Sequence, residues 1–404
     1  MLQIDHIYEF FYNSVFKDFD VQAFDKGVPT ESSYMVFNKI TGPQKILFYE
    51  QEPLLPNISE IYLDYFNIPF SDIEKNRKLY PTLYQGILEG GELADYIKWY
   101  LTFIQRPFTI VTSEHSKFKQ DLLLRYGFKD LYYFYHGFAA VDWYRGYYAL
   151  NYSKSIVKEY KYDFVSFNRI INNDRSYRIY FVSQLLELGL LDKGLVSFNV
   201  TDNLSDDWRD EVSDPKSKLS EQAKLHAEKY LTGIDKIIID RAELPGSASA
   251  DIPRGHDALW HIVTETVFYY DKLHLTEKIF KPIVSKQPFM LLAAPGNLAY
   301  LKSYGFKTFD SVIDESYDSI LDNDLRSQAV VDQLQWYCNL SPGEKQDIIR
   351  ALEPIIQYNF DHFYGDFRHI IANELLTNCQ TLFKDIGYDD SHINYATINN
   401  ILSK

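Results

Sequence analysis

Residues 264–309 contain the pattern that decides the expected fold, and they read TETVFYYDKLHLTEKIFKPIVSKQPFMLLAAPGNLAYLKSYGFKTF. One apolar strand is predicted over residues 258–263, just before this stretch, and another over residues 288–293. Between them a helix is predicted to begin near Thr276, whose hydroxyl suits a helix N-cap. Two buried strands joined through a helix are typical of a βαβ unit, which requires a parallel sheet.

The same alternation of strands and helices continues on both sides of this stretch. Further strands are predicted over residues 45–50, 108–112, 131–135, 162–167, 195–200 and 236–240. Asn173 and Asp174 are candidate caps for a helix with apolar residues at helical spacing, at Tyr177, Phe181, Leu185 and Leu188. From about residue 319 onward the pattern is nearly all helical. Two such series predict an α/β protein with two doubly wound, Rossmann-like domains.

The domain boundary is expected in the polar stretch 151–160. This places an N-terminal domain at residues 1–155 and a second domain at residues 156–340. Residues 341–404 are expected to form helices that pack back towards the N-terminal domain. An aromatic set would make that contact, at Tyr358, Phe360, Phe363 and Phe367.

The composition excludes several functional classes. With 41 basic and 56 acidic side chains the formal net charge is −15, which argues against a protein whose main task is to bind bare nucleic acid. Two cysteines, Cys338 and Cys379, are too few for a disulfide framework and are expected to be buried thiols in helices. The N-terminus lacks a secretory pattern and no stretch approaches about 18 apolar residues. A cytoplasmic protein without a membrane span is therefore expected.

The start of the helix at Thr276 has the chemistry of a diphosphate site. A helix N-terminus offers free N–H groups and the positive end of the helix dipole. Glu277 would accept hydrogen bonds from ribose hydroxyls, and Lys278 would neutralise phosphate charge. The alternative is structural: Thr276 and Glu277 cap the helix and complement its dipole, and Lys278 is a solvated lysine.

This segment resembles the donor half of α-1,3-fucosyltransferase-type enzymes and of glycosyltransferase-like proteins from phage and bacterial genomes. The resemblance lies in an acidic residue after a strand, Glu265, followed by Thr276-Glu277-Lys278 at the start of a helix, and it covers about residues 162–309. It implies the GT-B fold, two Rossmann-like domains facing a cleft, with the C-terminal domain holding a nucleotide-diphosphate sugar. Fucosyltransferases have Glu-Asn where this chain has Glu265-Thr266, and the sequence after Lys278 also differs, which leaves the sugar open.

Residues 164–178, FVSFNRIINNDRSYR, resemble the first strand and loop of the donor domain in these enzymes. Asn168 and Arg169 would lie at the carboxyl end of the strand, where ligands bind in open α/β sheets. A guanidinium grips phosphate oxygens bidentately, so Arg169 is a candidate ligand of the diphosphate, with Arg178 as a further one. The alternatives are an ordinary salt bridge for Arg169 and a loop acid without a ligand for Glu265.

The general base is sought among acidic residues that follow strands of the first domain. An inverting transfer needs a carboxylate or histidine near the acceptor hydroxyl, whereas a retaining transfer needs no base at that place. Glu52 and Glu50 rank first and Glu114 next, and each has the alternative of a solvated or capping carboxylate.

The resemblance implies glycosyl transfer without a metal, with a UDP- or GDP-type sugar nucleotide as co-substrate and no other cofactor. The acceptor would be a glycan or polysaccharide, or a hydroxymethylated DNA base of phage type, which an enzyme must extrude from the duplex. In that second case the protein would act in the host cytoplasm, and a basic group would meet the DNA, at Arg106, Lys117 and Lys119. The alternative from another class is a catalytically degenerate GT-B module that only binds a sugar or nucleotide.

Overall fold

The computed structural model describes the chain in separate stretches. Strands at residues 19–23, 34–39, 45–49 and 108–112 are described by their backbone. Side chains are described for residues 113, 115–116, 120, 124, 129–151, 160–198, 207–237, 255–269, 271–387, 389–396 and 398. The chain divides into two compact units, one formed by residues 3–138 with 369–404 and the other by residues 139–368.

The first unit is built on a mixed five-stranded sheet. Its strands are β1 (Phe19–Ala23), β2 (Tyr34–Lys39), β3 (Lys45–Tyr49), β4 (Phe108–Thr112) and, after the two-residue β5 (His115–Ser116), β6 (Lys129–Tyr132). The order is β1-β2-β3-β4-β6, antiparallel from β1 to β3 and parallel from β3 to β6. The strand predicted at 131–135 is corrected to β6, because the backbone enters helix α1 (Tyr135–Tyr144) at Tyr135.

The second unit contains an all-parallel four-stranded sheet. Its strands are β7 (Tyr162–Asn168), β8 (Gly194–Phe198), β9 (Ala258–Thr264) and, after the two-residue β10 (Lys272–Leu273), β11 (Phe289–Leu292). The order is β8-β7-β9-β11, so the chain runs outward from β7 to β8 and then returns to the other side of β7. The direction of winding therefore reverses between β7 and β9, as in a doubly wound sheet.

Helices cover this sheet in two groups. The helices of this unit are α2 (Tyr147–Asn151), α3 (Tyr177–Glu187), α4 (Trp208–Ser213), α5 (Glu221–Leu231), α6 (Glu277–Val284), α7 (Asn297–Ser303), α8 (Asn323–Cys338) and α9 (Pro342–His362). Helix α3 packs against α5 and α8, whereas α6 packs against α2 and α9. Right-handed crossovers on either side of the reversal place the two groups on opposite faces.

The parallel strands of the second unit are mostly buried along their length, which explains why apolar residues predominate in them. All seven residues of β9 and all four of β11 are buried. At the start of β8 a Cβ on Gly194 would lie 2.2 Å from the ring of Phe164 on β7. Glycine at this position lets the Phe164 ring lie directly over the neighbouring strand.

Two local predictions change in the structure. Asn173 and Asp174 do not cap α3; residues Asn173–Arg175 form a 3₁₀ turn, and α3 begins at Tyr177 after Ser176. Of the strand predicted over 236–240, only Ile237 makes a bridge, antiparallel to Phe198, and residues 238–240 lie outside the described chain.

The end of α9 continues through a π-helical turn (Phe363–Phe367) into α10 (Arg368–Ile386), which lies almost wholly in the first unit. Phe363 and Phe367 pack on Phe280 of α6, with ring centroids 5.6 and 5.2 Å apart. These described contacts lie within the second unit, whereas the sequence predicted that the aromatic set faces the N-terminal domain.

Cys338 and Cys379 are buried free thiols in helices, as predicted. Within the described residues, each helix is too short or too polar for a membrane crossing.

Candidate functional site

The reversal of the parallel sheet brings two predicted segments together. Ser166 of β7 lies opposite Ile262 of β9, so the carboxyl ends of these strands, Asn168 and Thr264, are level with each other. The segment after β9 begins with Glu265, and α6 starts again near this edge at Thr276. Ligands of open α/β sheets bind at the carboxyl edge where the winding reverses.

Glu265 is the buried centre of the polar cluster at this edge. Its side chain is fully buried, and it accepts hydrogen bonds from the backbone N–H of Thr266 (3.1 Å), the backbone N–H of Thr276 (3.0 Å) and the Thr276 hydroxyl (2.6 Å). Burial raises the pKa of the Glu265 carboxyl, while Lys278 and the bonds from Thr276 oppose that shift. Both carboxylate oxygens accept bonds from the protein, so Glu265 ties the segment after β9 to the start of α6.

Thr276 caps α6 as the sequence predicts. Its hydroxyl oxygen accepts from the backbone N–H of Lys278 at 3.3 Å while the same hydroxyl donates to Glu265. The threonine backbone is extended, which is the conformation of an N-cap residue. Because Glu265 accepts hydrogen bonds from the backbone N–H and the hydroxyl of Thr276, the first turn of α6 has a fixed position at the carboxyl edge.

Lys278 lies on the same side of α6 as the cap and is 28% exposed. Its ammonium lies 3.1 Å from three oxygens, the hydroxyls of Thr266 and Thr276 and the Oε1 atom of Glu277. Glu277 is itself nearly buried, with a side-chain exposure of 5%, and its carbonyl oxygen accepts from the Tyr144 hydroxyl at 3.3 Å. The predicted triplet Thr276-Glu277-Lys278 is thus one hydrogen-bonded group.

Lys281, one turn further along α6, was not singled out by sequence reasoning. It is 7% exposed, and desolvation lowers the pKa of its ammonium to about 8, with Glu277 opposing and Lys278 adding to the shift. Across from it on β9, burial and then the charge of Lys281 lower the pKa of His261 to about 3. The residue pattern of an apolar helix face gives no signal for a buried lysine here.

Arg178 is buried and binds the backbone rather than facing the open edge. Its guanidinium donates to the carbonyl oxygens of Ile170 at 2.8 Å and Thr264 at 2.7 Å. The neighbouring Tyr177 hydroxyl donates to the carbonyl oxygen of Glu265 at 2.5 Å. Helix α3 therefore fixes both segments that leave the sheet at the reversal, and Arg178 has a scaffolding role in this geometry.

Asn168 and Arg169 differ sharply in exposure. Asn168 is fully buried; its amide nitrogen donates to Ser166 Oγ at 3.1 Å, and its Oδ1 atom has no hydrogen-bond partner. Exchanging the two amide atoms would leave the nitrogen without a partner instead, so one polar atom remains for a water molecule or ligand in either orientation. Arg169 is exposed and makes no ion pair with a described residue. Of the two arginines predicted to bind the diphosphate, Arg169 is the exposed one.

The loop between β7 and α3 is held by its own contacts. Asn173 has a positive φ of 50°, and its backbone N–H donates to the Glu211 carboxylate at 3.0 Å. Lys218 forms an ion pair with Asp174. These partners come from residues 207–220, so the loop that presents Arg169 is braced by the segment before α5.

Sequence reasoning missed Arg326, which braces the other side of the site. Only 2% of this arginine is exposed. Its guanidinium donates to the carbonyl oxygens of Ala293 (2.9 Å) and Phe268 (2.7 Å), and it lies 4.2 Å from the Phe268 ring centroid. The Tyr177 ring stacks on Phe268 at 4.1 Å. The local sequence predicts that an arginine in a helix is exposed, so it gives no indication that Arg326 is buried.

The three candidate bases, Glu50, Glu52 and Glu114, lie outside the described residues, as do Arg106, Lys117 and Lys119. Their roles stay predictions. Among the described residues, no group of three histidines, cysteines, aspartates or glutamates is arranged to hold a metal ion.

Comparison with protein-family models, with curated proteins and with solved structures gave no match to this chain. The site consists of an anchored helix N-terminus, a carboxylate and an ammonium beside it, and an exposed guanidinium at the end of the neighbouring strand.

Proposed function

We propose that this chain is a glycosyltransferase of the GT-B type. It would transfer a glycosyl group from a nucleotide-diphosphate sugar to an acceptor hydroxyl without a metal. The observation that carries the proposal is the hydrogen-bonded cluster of the buried Glu265 and Thr276 with the partly exposed Lys278, at the carboxyl edge of the parallel sheet next to the point where the winding reverses. This is the position at which open α/β sheets bind nucleotides.

The groups of this edge match the parts of such a donor. An exposed guanidinium can bind a diphosphate bidentately, so Arg169 is proposed to bind the diphosphate of the donor. The N-terminus of α6 adds the positive end of its dipole. The Glu277 carboxylate suits the hydroxyls of a ribose. Glu265 and Arg178 support these groups from beneath.

The chemistry follows from the charge that develops during transfer. Negative charge grows on the departing diphosphate, and the Arg169 guanidinium and the N-terminus of α6 would stabilise it. In an inverting reaction a carboxylate takes the proton of the acceptor hydroxyl, and Glu52, Glu50 and Glu114 are the proposed candidates in that order. A glycan, a polysaccharide or a hydroxymethylated DNA base would be the acceptor.

A nucleotide-binding screen tests the donor site. UDP, GDP, CDP and dTDP are added to the full chain, with and without EDTA, and the melting temperature is recorded. A ligand at about 100 times its Kd adds roughly 2.7 kcal/mol of stability, which we expect for one nucleotide family and which EDTA should leave unchanged. Arg169→Gln is the matched variant: its side chain is exposed, so it should fold normally and lose most of the shift.

A transfer assay then separates an enzyme from a binding module. Release of the nucleoside diphosphate from the matching sugar nucleotide is followed with glycan acceptors and with hydroxymethylated DNA side by side. Release that depends on an acceptor supports the transferase. Binding without release in any mixture supports a degenerate module, and the absence of any nucleotide-induced shift contradicts the donor site itself.

A further inference from the structure

The ammonium of Lys278 has no proton left for a phosphate in the geometry of this cluster. A lysine ammonium donates three hydrogen bonds, and three oxygens lie 3.1 Å from Nζ: Thr266 Oγ1, Thr276 Oγ1 and Glu277 Oε1. A phosphate oxygen could bind only by displacing one of them. Displacing Glu277 would break the 3.1 Å ion pair of a nearly buried carboxylate, which is costly.

The Thr276 hydroxyl is saturated as well. It donates its proton to Glu265, and its two lone pairs accept from the backbone N–H and the ammonium of Lys278. The hydrogen-bond directions are therefore fixed through the group, from Lys278 to Thr276 and on to Glu265. Such a network is rigid because each group satisfies the hydrogen-bonding capacity of its neighbour.

The charges of the cluster also fail to favour an anion. Two carboxylates, Glu265 and Glu277, face two ammonium groups, Lys278 and the buried Lys281. With all four ionised, the group is neutral, so it has no surplus positive charge to offer a diphosphate. What it presents is a carboxylate held in place by a lysine, and carboxylates recognise sugar hydroxyls.

We propose that Lys278 is a positioning residue that fixes the Glu277 carboxylate to accept hydrogen bonds from the two hydroxyls of a ribose, and that it does not bind the diphosphate. The inference rests on the proposed function and names its donor as a ribonucleoside-diphosphate sugar. The diphosphate is left to Arg169, the exposed guanidinium at the end of β7.

Three ligands that share one base separate these roles: the nucleoside diphosphate, the monophosphate and the 2′-deoxynucleoside diphosphate, each measured by calorimetry. The wild-type chain should prefer the diphosphate over the monophosphate and the ribose over the deoxyribose. Lys278→Met should weaken binding of the diphosphate and of the monophosphate by the same factor, about tenfold for a lost charge-assisted contact. It should also abolish the preference for ribose over deoxyribose. Glu277→Gln should give the same pattern. Arg169→Gln should do the reverse, losing the diphosphate preference and keeping that for ribose.

The opposite pattern overturns the inference. If Lys278→Met removes the diphosphate preference and leaves the ribose preference intact, Lys278 binds phosphate. If the wild-type chain binds the deoxy ligand as tightly as the ribo ligand, the ribose contact is absent. Binding of none of the nucleotides by the wild-type chain is a different result, because it contradicts the proposed function and not the role of Lys278 alone.

A folding defect would not hide the result. Melting curves show whether each variant folds. If Lys278→Met does not fold, Lys278→Arg is measured in its place. A planar guanidinium cannot meet three acceptors grouped around one point. This variant should therefore also lose the ribose preference while it keeps the positive charge, which a simple charge effect would not produce.

Discussion

Glu265 is a predicted ligand residue whose carboxylate accepts hydrogen bonds from the protein itself. The residue lies at the carboxyl edge of the sheet where the predicted ligand site falls, yet its carboxylate is used by Thr266 and Thr276. The spacing of 11 residues between Glu265 and Thr276 gives no local sign of this contact, because the intervening loop determines it. Its contribution to binding would be indirect, through the position of α6.

Glu265→Gln should destabilise the fold by roughly 2–3 kcal/mol, because a buried amide nitrogen would face an N–H or O–H donor and leave it without a partner. Urea unfolding monitored by circular dichroism measures the change in midpoint. Glu221→Gln is the control, since that carboxylate is 87% exposed and its removal should cost under about 0.5 kcal/mol. Equal midpoints for the two variants would show that the Glu265 bonds are not structural.

Lys281 gives a pH-dependent prediction. Its pKa is lowered to about 8 in the folded chain, against about 10.4 in the unfolded chain. Between these values the unfolded chain binds a proton that the folded chain has released, so stability rises with pH there. At pH 7 the buried charge costs up to about 3 kcal/mol, from 1.36 kcal/mol per unit.

Lys281→Met should therefore melt at a higher temperature than the wild-type chain at pH 7, and this difference should shrink as the pH rises towards 10. The difference between the two melting temperatures at each pH cancels the contribution of the titratable groups that both proteins share. The pKa of His261 is about 3, so its ring stays neutral over this range and does not contribute. A difference that is constant with pH would mean that Lys281 keeps its proton in the fold.

At the scale of elements, the sequence predicts the strands well where burial is continuous. The runs that became β7, β9 and β11 are rich in apolar residues and mostly buried along their length, which is the pattern of strands covered on both faces. The cap at Thr276 was equally local and is confirmed. The buried role of Arg326 was not predictable, because two of its acceptors, Ala293 and Phe268, lie 33 and 58 positions away in the chain.

Gly194→Ala tests the close approach of β7 and β8. The added Cβ would lie 2.2 Å from the Phe164 ring, so the ring must move, and such overpacking typically costs about 1–3 kcal/mol. Phe164→Leu opens the space, and we expect the double variant to be more stable than the sum of the two single changes. Thermal unfolding of the four proteins gives this coupling. Strict additivity would show that the glycine is not required by Phe164.

At the scale of the whole molecule, the second unit has the features of an independent fold. It contains the complete parallel sheet and helices for both faces. Its last helix, α9, returns to the first strand, since the Lys345 ammonium binds both oxygens of Asp163 at 2.7 and 2.8 Å. The α/β class predicted from the sequence is confirmed, while the GT-B arrangement of two doubly wound domains stays a prediction.

Two fragments test where this unit ends. The contacts assign it residues 139–368, whereas the sequence placed the end of the donor domain at residue 340. A fragment that stops at 340 leaves Asp163, which is 11% exposed, without Lys345, and it strips Phe363 and Phe367 from Phe280. An unpaired buried charge costs several kcal/mol, and each lost buried aromatic costs about 3–5 kcal/mol.

We expect residues 139–368 to be folded and to unfold cooperatively, and residues 139–340 to be unfolded or molten, with exposed apolar surface. Near-ultraviolet circular dichroism and binding of a hydrophobic dye distinguish these states. Asp163→Asn in the longer fragment separates the two losses, because it removes the ion pair and keeps the aromatic contacts. A cooperative fold for residues 139–340 would instead support the boundary predicted from sequence and make α9 an accessory helix.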